Sequence, residues 1–178
     1  MQSASTVLLP WIPFYTLIGA AAASLTGLMF VVITLVSTVR GGRTPEGIST
    51  FSTPTVVHYA SALIISAMLC APWPTFGTPA VIVGLLGPIG MVYAVVLAVR
   101  AHRLDTYEPD VEDWTWYTVL PFLAYLLILV SAIMLVVRPA AAPYVCAFGT
   151  LLLEVIGIHN AWDIVTYLAI ARQRDEEA

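Results

Sequence analysis

Five apolar runs of 20 to 30 residues dominate this chain, at residues 10–39, 54–73, 79–103, 114–138 and 143–171. An α-helix rises about 1.5 Å per residue, so roughly 20 apolar residues already cross the hydrocarbon core of a bilayer. Inside that core every backbone N–H and C=O must be bonded within the protein, which leaves helices and closed barrels as the permitted structures. Alternation with a period of two, the mark of a barrel strand, is missing from the five runs. Of the 178 residues, 60% are hydrophobic and 10% charged, a balance that excludes a soluble globular domain. The expectation is an all-α fold, a single transmembrane domain over residues 1–178 built as a polytopic bundle of five helices.

Arginine placement predicts the orientation, because positive charge beside helix ends stays on the cytoplasmic side. With the N-terminus outside, Arg40, Arg43, Arg100, Arg103, Arg172 and Arg174 face the cytoplasm and Arg138 alone faces out, so the reading is N-out, C-in. Residues 1–9 hold no Lys or Arg; despite Ala20, Ala21 and Ala22, the first run therefore reads as a retained helix rather than a cleaved signal peptide. Thr53 is expected to cap the second helix, with Pro54, Pro79 and Pro143 opening the second, third and fifth. Outer loops are then short and inner loops longer. The inner loop at 104–113 carries Asp105, Glu108, Asp110, Glu112 and Asp113. It reads as a solvated connection, the other reading being a surface that concentrates cations or meets a basic partner. Trp114, Trp116 and Tyr117 mark the inner interface, and Trp11, Phe14 and Trp73 the outer.

Lipid supplies little hydrophobic force between helices, so small residues that let backbones approach are the association signal. Gly19, Ala23 and Gly27 recur every four residues in the first helix, beside a ridge of Thr16, Ala20 and Ser24. They predict a helix-packing face, within the chain or with a second copy in a homo-oligomer. Gly87-Pro88 in the third run and Pro121 in the fourth predict local distortion, because proline removes a backbone donor and crowds the preceding turn.

The fifth run contains Glu154, His159, Asn160 and Asp163. A charged residue at a helix centre costs about 2.5–3.5 kcal/mol on insertion scales, so each of these must turn towards protein or water. Glu154 falls near the bilayer midplane, sharing a face with Thr150, Ile158 and Ala161, and Tyr93 or Tyr125 is the expected hydrogen-bonding neighbour. His159 and Asp163 are four apart and share another face. His58, on the antiparallel second helix, comes within about two turns of the depth of Asp163. Two functions fit. One is a proton or small-cation path with Glu154 at mid-membrane and His159, Asp163 and His58 leading to the cytoplasm, since acid and imidazole chains are what relays use. The other is a non-transporting accessory or scaffold subunit whose polar groups lock helices together.

Glu154 and His159 are five apart, not the three of carboxylate-bridged metal bundles, and the histidines are not paired in depth for haem. No metal or cofactor is therefore expected. Cys70 and Cys146 both lie about a turn from the outer helix ends and read as small buried residues, with an outer-leaflet disulfide as the alternative. Nucleophile spacings and Gly-rich phosphate loops are lacking, which weighs against an enzyme. A net charge of -4 without a basic patch argues against nucleic acid as a partner.

Two stretches, GAAAASLTGLMFVVITL at 19–35 and GIHNAWDIVTYL at 157–168, resemble the first and last helices of an uncharacterised family of small five-helix bacterial inner-membrane proteins. The resemblance implies a multi-pass protein of the bacterial inner membrane and carries no activity.

Overall fold

The computed structural model describes residues 4–39, 46–102 and 111–177, with side chains placed over 4–34, 53–100 and 111–166. All regular structure among them is helical. A short helix α1 (Ala4–Leu8) and a 3-10 turn (Leu9–Trp11) lead into α2 (Ile12–Val39), followed by α3 (Glu46–Cys70) and α4 (Gly77–His102). Next come α5 (Val111–Trp114), a π turn (Thr115–Val119), α6 (Leu120–Val137) and α7 (Ala142–Glu177). Five stretches are long and apolar enough to cross a bilayer: Ala4–Thr34, Thr53–Cys70, Gly77–Arg100, Val111–Val137 and Ala142–Thr166. Acidic residues Asp105, Glu108 and Asp110, and Arg40, Arg43 and Arg103, lie outside the described residues.

One boundary departs from the sequence expectation. The second helix begins at Glu46, so Pro54 is inside α3 rather than at its first position. Membrane helices tolerate such a proline because neighbouring groups re-satisfy the carbonyl it leaves free. Pro79 and Pro143 do fall in the first turns of α4 and α7, where an N–H would have no helical partner anyway. Ahead of Pro121 the chain widens into the π turn, with the Leu120 N–H bonded five residues back to the Thr115 carbonyl. Proline cannot supply the bond to residue 117, and the longer register absorbs the mismatch.

The α7 helix packs against both α3 and α6, while α2 leans on α3 and α4 on α6. Buried side chains form one continuous core, including Tyr15, Tyr59, Ile65, Tyr125, Ile128, Leu153 and Ile156. Glycine sets the closest approaches. Gly87 abuts the Leu129 backbone, and a β-carbon added at Gly90 would overlap the Tyr125 ring. The glycines of the third span thus form its seam with α6.

In the first span, Gly19 packs on Ser66 of α3, with 3.1 Å between the position of an added β-carbon and the Ser66 Cβ. Ala23 and Gly27 are exposed, and nothing lies within 4 Å of a β-carbon placed at Gly27. A four-residue step advances about 400° around a helix, so a row spaced by four drifts about 40° per step away from a straight contact line. The buried line instead runs through Tyr15, Ile18, Ala22 and Met29.

Candidate functional site

Three polar groupings are buried in or beside the bundle. The first joins α3 to α6. Tyr125 Oη lies 3.1 Å from His58 Nδ1 and 3.0 Å from Ser61 Oγ. Ser61 Oγ in turn donates to the Val57 carbonyl at 2.8 Å. A hydroxyl has one proton. Since the Ser61 proton is committed to Val57, Tyr125 must donate to Ser61, and His58 must then donate its Nδ1–H to Tyr125. The result is a directional chain from His58 through Tyr125 and Ser61 to the α3 backbone. His58 is 1% exposed and Tyr125 fully buried. Gly90 creates the space in which the Tyr125 ring crosses from α6.

The second grouping lies where α5 and the π turn meet α7. The His159 ring stacks on Trp116, centroids 3.8 Å apart and planes 6° from parallel. Its Nε2 is 3.6 Å from Glu112 Oε1 and its Nδ1 3.3 Å from Asp163 Oδ2. Glu112 and Trp116 are four apart, as are His159 and Asp163, so two i,i+4 pairs on facing helical surfaces interlock.

The third is centred on Glu154, 4% exposed, with Oε1 lacking a hydrogen-bond partner. Its electrostatic neighbour is Tyr59 of α3, whose buried Oη is also unpartnered. Tyr59 lies over Gly157, where an added β-carbon would collide with its ring. Thr150, on the same face, spends its hydroxyl on the carbonyls of Cys146 and Ala147 at 3.0 and 3.1 Å. Asn160 is fully buried, with both amide atoms unpartnered.

The polar residues read from the sequence are therefore distributed rather than assembled. Tyr125 hydrogen-bonds His58 and Ser61, Tyr93 is half-buried near Tyr125, and it is Tyr59 that neighbours Glu154. His58 and Asp163 each have other partners. Rotation about α7 explains the split, since five residues turn the helix about 140° and nine turn it about 180° from Glu154. The sequence reading did not single out Tyr59 or Ser61, and it placed Glu112 in the acidic inner loop and Trp116 at the inner interface without joining either to His159. Glu112 and Trp116 carried a signal in their four-residue spacing beside His159 and Asp163.

Cys70 and Cys146 are free thiols. Cys70 Sγ lies 3.7 Å from Thr16 Oγ1, whereas Cys146 is buried beside Ser131 and Tyr15. The Tyr15 hydroxyl donates to the Pro143 carbonyl at 2.9 Å, tying α2 to the start of α7. Among the described residues no three His, Cys, Asp or Glu side chains are grouped to hold a metal ion. The chain matches no protein-family profile, no curated protein and no solved structure.

Proposed function

We propose that this multi-pass helix bundle is a non-transporting accessory or scaffold subunit of the bacterial inner membrane, oriented N-out, C-in and related to the small five-helix proteins that it resembles. The observation that carries the reading is the separation of Glu154 from His159 and Asp163 on different faces of α7, with His58 engaged by Tyr125 instead. A relay requires groups within hydrogen-bond reach of one another or of a shared water. Here the polar groups stand apart: His58, Tyr125 and Ser61 tie α3 to α6, and His159 with Trp116 and Glu112 ties α7 to the start of the fourth span. The exposed small residues Ala20, Ala23, Ser24 and Gly27 of α2 provide the face for a second copy or a partner helix.

Reconstitution in liposomes tests this. The scaffold reading expects no proton or cation flux from the purified protein under any imposed gradient or voltage. A second reading, conduction of protons or a small cation, draws on the unpartnered Glu154 carboxyl at mid-span and on His159 held between two acids. Flux that disappears in well-folded Glu154→Gln and Asp163→Asn would establish conduction and overturn the scaffold.

A further inference from the structure

His159 is open enough to exchange a proton with water, and its neighbours discriminate between its two forms. The side chain is 24% exposed and the flanking acids more so, so no proton has to cross the hydrocarbon core to reach it. Neutral imidazole carries one N–H and one lone pair. With Glu112 3.6 Å from Nε2 and Asp163 3.3 Å from Nδ1, either tautomer sets a carboxylate against a lone pair, acceptor facing acceptor. The imidazolium presents a donor on each side. Trp116, stacked on the ring, favours the same form, because the face of an indole attracts a cation. The helices packed on α7 bring no opposing charge among the described residues. Within them α2 and α6 hold no charged residue, His58 of α3 is engaged by Tyr125, and Asp113 of α5 is a further acid acting on Asp163. Arg100 of α4 bears on Tyr93.

Both distances are those of ion pairs that have not closed. Charge-assisted N–H···O bonds run about 2.7–2.9 Å, and Nδ1 has no hydrogen-bond partner although Asp163 is beside it. Each acid therefore has room to move in when the ring gains a proton. The segment that this fastens is weakly held otherwise. Glu112 and Trp116 ride on α5, of four residues, and on a π turn of five, and so short a helix followed by a π register has little stability of its own. We propose that His159 is a proton-operated clasp, which fastens the start of the fourth span to α7 when its imidazole is charged and lets that segment loosen when the imidazole is neutral. The acids must be ionised and the ring protonated together, so the clasp holds in mildly acidic solution and is lost as pH rises through the range in which imidazole titrates. It acts at equilibrium and is independent of whether the bundle conducts ions.

Backbone hydrogen exchange of the full chain in lipid nanodiscs tests this. Read at Thr115–Val119 and corrected for the intrinsic pH dependence of exchange, it measures how often the segment opens. Protection should be about fivefold greater at about pH 5.5 than at about pH 8, the size expected of partly exposed charge pairs joined by a cation–π contact. His159→Gln, which cannot take up a proton, should abolish the difference. So should the double variant Glu112→Gln with Asp163→Asn, which keeps the imidazole and removes its acids. Nitrogen NMR, with His159 assigned by its loss in His159→Gln, should find both ring nitrogens protonated in the protected state. Equal protection at the two pH values, a difference that survives in His159→Gln or in the double variant, or a singly protonated ring in the protected state would each overturn the proposal. If His159→Gln does not fold, the double variant decides alone.

Discussion

His159 lies flat against Trp116, ring centroids 3.8 Å apart, while Glu112 and Asp163 flank its two nitrogens. The stack joins the start of the fourth span to α7. Its acids are half to largely exposed, with Glu112 at 71% and Asp163 at 44%, and exposed ion pairs contribute about 0–1 kcal/mol. Glu112→Gln should therefore cost under about 1 kcal/mol, less in high salt. A double-mutant cycle of Trp116→Leu with His159→Gln should return a coupling of about 0.5–1.5 kcal/mol from ring stacking. Unfolding in detergent measures both. A coupling near zero would mean that the rings touch without stabilising the pair.

Tyr125→Phe removes the middle member of the chain from His58 to Ser61. The Nδ1–H of His58 is left buried without its acceptor, so a loss of about 1–3 kcal/mol is expected, towards the lower end if the bundle relaxes. Ser61→Ala combined with Tyr125→Phe should cost less than the sum of the two, because they interrupt one network. Nitrogen NMR of His58 should find Nδ1 protonated. An unprotonated Nδ1 would reverse the direction of the chain.

Glycine substitutions separate packed from open positions. Gly90→Ala and Gly157→Ala drive a methyl into the Tyr125 and Tyr59 rings, and each should destabilise by about 1–3 kcal/mol through overpacking. Gly27→Ala meets nothing within 4 Å. It should be neutral or slightly stabilising in the monomer, since alanine is the better helix former. If it instead disrupts a dimer seen by crosslinking, α2 meets its partner at that face.

Thiol chemistry checks orientation together with packing. Cys70 is half-buried next to the short loop that follows α3, and Cys146 is buried. In intact cells a membrane-impermeant maleimide should modify Cys70 from outside and spare Cys146 until the protein is denatured. Labelling of Cys70 only from the cytoplasmic side would overturn the proposed N-out, C-in topology.

Much of the architecture was legible without the structure. Run length against bilayer thickness located all five spans, and proline position anticipated the first turns of α4 and α7 as well as the distortion that became the π turn before Pro121. Pro54 was the exception. Its ring reads as a helix start, yet α3 continues through it from Glu46. Residue pairings were less accessible. Tyr125 lies in the sequence as a plausible neighbour of Glu154, but its ring enters the gap above Gly90 and its hydroxyl reaches α3. Tyr59 reaches Glu154's surroundings because Gly157 leaves room for the ring.

The amino-acid order alone determined how many times the chain can cross a bilayer and where along its span Glu154 stands, because both depend on distance along a single helix of known rise. Which helices are neighbours, and through what rotation each presents its polar groups, was decided only in three dimensions. Close approach at Gly19, Gly87, Gly90 and Gly157 sets those rotations, and a turn of about 100° per residue sends adjacent side chains such as His58 and Tyr59 to different partners.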